Sequence, residues 1–339
     1  MAERLVLAVD AHGGDFGPSV TVPATQDALA AEPCLEVLLV GMPAALEAPL
    51  AEIPQALRAR LRVLPAAHVL DAAADTRTIL RTAEGSSLAL ALAQVADGSA
   101  QACVSAAATG AIMALASRSL GMLPGLRRPA LMSQIPTTSG MVGMLDLGAN
   151  LSVTARALQE FAVMGSVVCA RGAELPSVGL LNVGHEETKG LPHIREAHEA
   201  LRASPLNYCG FVEGHDIYTG RAEVVVCDGF TGNLVLKSSE GLAAMLAAEL
   251  RSALGRDLRT RIGAMLARPA LAAMLERMDP AKHNGAPLLG LAGVVVKSHG
   301  RSGRFATRQA LLEACREVRR DVPLRITDLL RACGLESES

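Results

Sequence analysis

The stretch LVLAVDAHGGDFGPSV, residues 5–20, holds the pattern from which the fold is read. Five apolar residues follow one another without alternation, which is the writing of a strand buried on both faces. Asp10 and the glycines at 13, 14 and 17 then break the run, and Pro18 stands where the first residue of a helix is favoured. A buried strand, a glycine-bearing loop and a helix make one turn of a wound α/β sheet.

The same grammar recurs along the chain. Strands are expected over residues 5–9, 36–40, 62–64, 102–105, 131–135, 141–146, 177–181, 224–227 and 294–297, and helices over 19–31, 86–96, 110–120, 152–170, 193–203, 242–254 and 307–321. A chain of 339 residues exceeds the length at which one core comfortably closes. One α/β unit in two lobes, residues 1–339, is therefore expected. Residues 241–279, GLAAMLAAELRSALGRDLRTRIGAMLARPALAAMLERMD, carry Leu/Met stripes and an arginine-rich polar face. They predict an amphipathic helical hairpin, serving either as a packing or dimerisation element or as a membrane-surface element.

Composition narrows the function. Half of the chain is hydrophobic, yet it contains two Tyr, five Phe and no Trp, so the interior is built from Ala, Leu and Val. A net charge of −2 with no strongly basic segment removes the footprint of a nucleic-acid binder. No apolar run approaches the ~18 residues of a membrane span, and the amino terminus opens on a strand, so a cytoplasmic protein is expected. The seven cysteines form no CxxC pair and no Cys/His cluster, and they read as reduced, mostly buried thiols.

Strand ends repeatedly carry Gly, Asp, Asn or Thr: VDAHGGDFGP, SAAATGA, LDLGAN, LLNVGHEETKG, VVCDGFTGN and VVVKSHG. In open α/β sheets ligands sit at the carboxyl ends of the strands, so these six loops are expected to converge. Asp10, Gly13, Gly14 and Asp15 fit an anion-binding turn as well as a plain chain reversal; the GxGxxG and P-loop spacings are both absent. Thr109 and Gly110 open a helix, where the hydroxyl serves either as a cap or as an oxyanion donor, and Asn150 carries the same two readings.

Lysine usage sharpens the choice. Against 28 arginines there are four lysines, and three of them, Lys189, Lys237 and Lys297, lie within or just after these loops. A chain that otherwise writes arginine is using a compact ammonium at those points. His299, two residues after Lys297, adds a group able to move a proton near neutral pH.

Five segments in order resemble the phosphate acyltransferase family of bacterial phospholipid synthesis, the PlsX type: residues 9–18, 179–190, 209–217 (CGFVEGHDI), 224–241 (VVVCDGFTGNLVLKSSEG) and 284–300 (NGAPLLGLAGVVVKSHG). The resemblance implies a Rossmann-like three-layer sandwich related to the isocitrate/isopropylmalate dehydrogenase-like and phosphotransacetylase folds. It also implies a homodimer, acyl carrier protein and inorganic phosphate as substrates, no metal or nicotinamide cofactor, and loose attachment to the inner membrane surface. A downstream glycerol-phosphate acyltransferase would be the partner that receives the product. Three departures stand out: Ala108 where the family writes Asn, His185 at an acidic position, and AKHNGAPL in place of a tyrosine-containing sequence.

On this reading Lys297, His299 and Lys189 gather phosphate, with Lys237 beside them. Thr109, Gly110, Asn150, Asn233 and the amides of Gly13 and Gly14 position phosphate or the oxyanion, while Asp10, Asp15 and Asp228 orient the donors. The rivals are a phosphotransacetylase acting on short acyl-CoA, a decarboxylating dehydrogenase, for which neither a carboxylate metal site nor a dinucleotide loop is evident, and a non-catalytic scaffold for carrier protein or membrane.

Overall fold

The computed structural model describes residues 4–71, 73–277 and 279–336. Its strands are β1 (Leu5–Asp10), β2 (Leu35–Gly41), β3 (Leu61–Pro65), β4 (Ala102–Ser105), β5 (Ala130–Leu131), β6 (Ser133–Thr137), β7 (Gly140–Leu145), β8 (Val178–Leu181), β9 (Tyr208–Val212), β10 (Val224–Val226), β11 (Ala286–Leu289) and β12 (Val294–Lys297). They form two sheets, ordered β3-β2-β1-β4-β12-β11-β5 and β6-β7-β10-β8-β9.

In the first sheet β3, β2, β1, β4 and β12 run parallel, so their carboxyl ends share one edge. In the second, β7, β10, β8 and β9 do the same. Antiparallel pairing is confined to the ends of the two orders, at β12–β11–β5 and β6–β7. The run expected over 131–135 splits here: Leu131 closes β5 in the first sheet and Ser133 opens β6 in the second.

Burial on both faces explains the unbroken apolar strands. In β1, Leu5, Leu7 and Val9 point into the core under helices Pro18–Ala31 and Arg304–Arg319, whereas Val6 and Ala8 point into the central core. In β10, Val224 and Val226 face the helix Ala155–Cys169, and Val225 faces the central core. Layers of helix, sheet and helix follow from this two-residue alternation.

Two strands escaped the sequence reading. Cys209 and Gly210 weaken the apolar signal of β9, and its register with β8 shifts at Val178/Gly179. Pro287 breaks the pattern of β11, which it can occupy because its carbonyl, not a missing N–H, serves the neighbouring Met132 amide at 3.1 Å. The helix expected over 242–254 starts much earlier, spanning Gly229–Gly255, because Asp228 caps it at the tip of β10. Helix Leu258–Arg277 packs back against it as the second arm of the hairpin. The hairpin leaves Leu242, Met245, Leu246, Leu258, Met265 and Leu266 exposed.

The seven cysteines are all free. Burial pushes the Cys169 and Cys315 thiols up to about 12, which leaves them unreactive at neutral pH. No helix among the described residues is long and apolar enough to cross a membrane.

Candidate functional site

Three loops at the carboxyl edge of the first sheet lock together. Ser105 Oγ, at the tip of β4, donates to Asp10 Oδ2 at 2.7 Å and accepts the Ala107 amide at 3.1 Å. Asp10 Oδ1 takes the His12 amide at 3.2 Å. The Asp15 amide donates to the Gly300 carbonyl at 2.8 Å, which joins the β1 loop to the β12 loop. Asp10 thus ties the loops after β1 and β4 together.

The glycines serve a different neighbour from the one expected. A Cβ at Gly13 would lie 2.6 Å from the Ala106 nitrogen, and one at Gly14, whose φ is +83°, would lie 2.7 Å from the Gly300 oxygen. The close approach is made to adjoining loops, and only Gly fits. The Gly13 and Gly14 amides make no hydrogen bond among the described residues, so both remain available to an anion.

At the tip of β4 the helix Thr109–Leu120 begins with Ala108 as its N-cap and no side-chain cap. Of the two readings of Thr109, capping is therefore not the one adopted. Thr109 sits in the first helical turn with its hydroxyl unbonded among the described residues, and open space surrounds the adjacent Gly110. The uncapped N–H groups and the helix dipole give this end partial positive charge.

Lys297 ends β12 with its ammonium 3.4 Å from the Ser298 carbonyl and no salt-bridge partner among the described residues. Burial lowers its pKa, and the nearby charge of Lys237 lowers it further. His299 follows. Its Nδ1 accepts the Arg301 amide at 3.2 Å, which puts the proton of the neutral ring on Nε2. Burial lowers its pKa too, followed by Lys297 and Lys237, with Glu240 and Asp15 acting in the opposite direction. Lys237, Lys297 and His299 therefore form one electrostatic cluster, in which Lys237 Nζ alone has a carboxylate, Glu240 at 2.7 Å.

Lys237 reaches this cluster from the second sheet. The helix Gly229–Gly255 springs from the tip of β10 and carries it toward the β12 loop. Asp228 is the cap of this helix, accepting the Thr231 amide at 2.8 Å and the Thr231 hydroxyl at 2.9 Å, so its carboxylate is engaged there and not in orienting a cation. Exposed Asn233 lies one turn before Lys237, against Gly148 of the β7 loop.

Asn150 is corrected to a framework role. Its Nδ2 donates to the Pro129 carbonyl at 2.8 Å and to Asp146 Oδ2 at 2.9 Å, which uses both donor hydrogens. Lys189 is exposed on the loop after β8, at the carboxyl edge of the second sheet, where its carbonyl accepts Asn182 Nδ2 at 3.3 Å. No contact among the described residues joins it to Lys297 or His299.

Sequence reading missed the residues that hold the β12 loop. Asn284 Nδ2 donates to Ser298 Oγ and to the Ala306 carbonyl, both at 2.8 Å, and its Oδ1 accepts the His299 amide at 3.2 Å. The Ser298 amide bonds the Ser105 carbonyl at 2.9 Å. The signal for Asn284 was its position directly before a glycine at φ +115°, Gly285, whose Cβ would strike Ala310 at 2.8 Å. No group of three or more His, Cys, Asp or Glu able to hold a metal ion occurs among the described residues.

A family model described as "Fatty acid synthesis protein" matches residues 5–325. A protein of Alkalilimnicola ehrlichii named Phosphate acyltransferase is 46% identical over 342 residues, covering 100% of both chains. One of the same name from Methylococcus capsulatus is 44% identical over 335 residues, covering 97% of this chain and 99% of that one. Among solved structures, a phosphotransacetylase from Streptococcus pyogenes superposes with a TM-score of 0.60 at 17% identity, covering 94% of this chain and 95% of that one. A branched-chain phosphotransacylase from Enterococcus faecalis gives 0.59 at 15% identity, covering 93% and 99%.

Proposed function

The chain belongs to the phosphate acyltransferase family, and we propose that it takes its acyl group from acyl carrier protein and delivers it to inorganic phosphate at the carboxyl end of β12, where Lys237, Lys297 and His299 come together. The observation that carries the site assignment is the half-buried Lys297 at the end of β12, without a salt-bridge partner among the described residues, next to His299. Lys237 is paired with Glu240 and Asp15 also acts on His299, whereas Lys297 has no salt-bridge partner among the described residues, and a phosphate dianion would supply it.

A phosphate oxygen attacks the thioester carbon, a C–O bond forms, the C–S bond breaks, and sulfur leaves as thiolate. Phosphate is already anionic at neutral pH, so no strong general base is needed. A thiol with a pKa near ~8.5 leaves readily. Positioning and charge stabilisation then dominate the rate. Lys297 and Lys237 hold phosphate, and the Nε2–H of His299 donates to the anion or to the departing sulfur. Thr109, Asn233 and the amides of Gly13 and Gly14 serve the oxyanion. Lys189, exposed on the loop after β8, is assigned to the phosphate on the family resemblance alone.

The carrier protein, a homodimeric assembly and contact with the inner membrane face belong to the same proposal, supported by the exposed Leu/Met residues of the hairpin. The acyl phosphate is a mixed anhydride and must pass quickly to an acyltransferase that uses glycerol phosphate. The test is to incubate the purified protein with acyl carrier protein thioesters or acyl-CoA, with and without phosphate, and trap product with hydroxylamine. Phosphate-dependent hydroxamate from the carrier-protein donor is expected. Preference for short acyl-CoA would instead favour the phosphotransacetylase reading, and thioester binding without turnover would favour a scaffold.

A further inference from the structure

Asn284 works on two sides. Its side chain holds the β12 loop, and the same residue lines a cleft of about 400 Å³, open to solvent, bounded by the start of β6, the end of helix Ala155–Cys169 and helix Arg304–Arg319. The cleft and Lys297 lie on opposite faces of the first sheet. Side chains alternate along β12: Val295 faces the central core, as Lys297 must two residues on, whereas Val296 faces helix Arg304–Arg319, which walls the cleft through Glu313 and Arg316.

Basic groups converge on it. Lys282 and His283 come from the single helical turn Pro280–His283, and Arg316 comes from the long helix. Their charges reach one another: burial lowers the His283 pKa, a hydrogen bond to the Arg277 backbone opposes this, and Lys282 and Arg316 lower it further, with Asp279 acting the other way. Lys282 Nζ is paired with Glu276 at 2.5 Å and Arg316 Nε with Glu313 at 2.8 Å. Both pairs are open to water, where ion pairs contribute little. A phosphomonoester carries about −1.5 to −2 charges at neutral pH, against −1 for either carboxylate, and displaces them. Half-buried Ser133 and exposed Gln134 also line the cleft, and their side chains make no hydrogen bond among the described residues.

We propose that this cleft binds a small hydroxylated phosphomonoester, with its phosphate on Lys282, His283 and Arg316 and its hydroxyls on Ser133 and Gln134. The lining sets the class. The Arg316 fork matches two phosphate oxygens, and the lysine and imidazole supply further donors to a dianion. The uncommitted hydroxyl and carboxamide answer the hydroxyls of the ligand. Because the first sheet separates the cleft from Lys297, this ligand is not the reacting phosphate, and its binding does not depend on the proposed phosphorolysis.

The experiment is calorimetric titration of the full chain with glycerol 3-phosphate, a simple hydroxylated phosphomonoester, and with inorganic phosphate. Saturable binding of glycerol 3-phosphate is expected in the unsubstituted protein and, unchanged, in Lys297→Met. Arg316→Gln and Lys282→Gln should each weaken it by about tenfold or more, the scale of one charge-assisted contact. Glu313→Gln should tighten it, because the carboxylate that competes for Arg316 is gone; a damaged fold would not give that sign, so this variant decides the matter even if Arg316→Gln does not fold. In the Lys297→Met background, glycerol 3-phosphate should bind more tightly than inorganic phosphate. Absence of saturable binding, loss of binding in Lys297→Met with none in Arg316→Gln and Lys282→Gln, no tightening in Glu313→Gln, or equal affinity for the two probes would each overturn the proposal.

Discussion

The side-chain oxygen of Asn284 accepts the backbone N–H of His299 across 3.2 Å, while the amide nitrogen of the same residue ties Ser298 and the start of helix Arg304–Arg319. One side chain therefore fixes the direction in which His299 leaves β12. Asn284→Ala is expected to lower kcat about 10- to 100-fold while moving KM for the acyl donor far less, because the imidazole is mispositioned and not removed. Steady-state kinetics on both substrates would check this, and a rise in the donor KM with an unchanged kcat would contradict it.

Lys297→Arg should not rescue activity. Lys297 is half-buried against its own loop, and a wide planar guanidinium cannot occupy the space of an ammonium. Losing one charge-assisted contact to phosphate costs roughly 1.5–3 kcal/mol, or about 10- to 100-fold in kcat/KM for phosphate. Lys297→Met is expected to match that loss with no fall in melting temperature, because burial and Lys237 make the ammonium a cost to the fold. Near-normal phosphate kinetics in both variants would remove Lys297 from the site.

The like charge of Lys237 lowers the pKa of Lys297, as burial does. The alkaline limb of kcat/KM for phosphate should therefore fall below the ordinary lysine value of 10.5, since activity is lost as Lys297 gives up its proton. Lys237→Gln removes the repulsion and should move that limb to higher pH even as the plateau drops. A limb that stays put or moves down would mean that the two ammonium groups do not share a site.

The sheets were legible because strands buried on both faces write themselves as apolar runs, and β4 and β12 were read to the residue. β9 and β11 were not, because Gly210 and Pro287 interrupt the only signal available. Lys297 and His299 stood out in the sequence because lysine is rare in this chain and both lie at a strand end. Sequence left Asn150 with two readings and expected Asp228 to orient donors, because an Asn or Asp at a strand tip is equally suited to hold a ligand or to hold the backbone, and only partner geometry separates the two. Asn284 makes its contacts across 14 to 22 residues of chain, which no local pattern encodes.

Gly232 sets how closely the helix Gly229–Gly255 approaches the tip of β7. A Cβ there would overlap the Asp146 carbonyl and lie 3.0 Å from Cys227 Sγ. Gly232→Ala must push the helix outward, at a cost of about 1–3 kcal/mol for overpacking, and carries Asn233 and Lys237 away from the β12 loop. Both the denaturant midpoint and phosphate affinity should fall. Gly241→Ala, on the same helix in open space, is the control and should raise stability by about 0.5–1 kcal/mol.

Glu317 is a fully buried carboxyl in the helix Arg304–Arg319 whose Oε1 has no hydrogen-bond partner, and burial pushes its pKa up to about 8. In the unfolded chain it titrates near 4.5, so between these values the folded state holds a proton that the unfolded state has released. Stability must then decline as pH rises from about 4.5 to 8 and level off above it. The loss integrates to on the order of 5 kcal/mol. Glu317→Gln keeps the shape without the ionisation, so this variant should be the more stable protein at about pH 8.5 and lose most of its advantage at about pH 5. Urea titrations at the two pH values decide it, and a constant difference between the two proteins would show that the buried carboxyl does not govern the pH dependence.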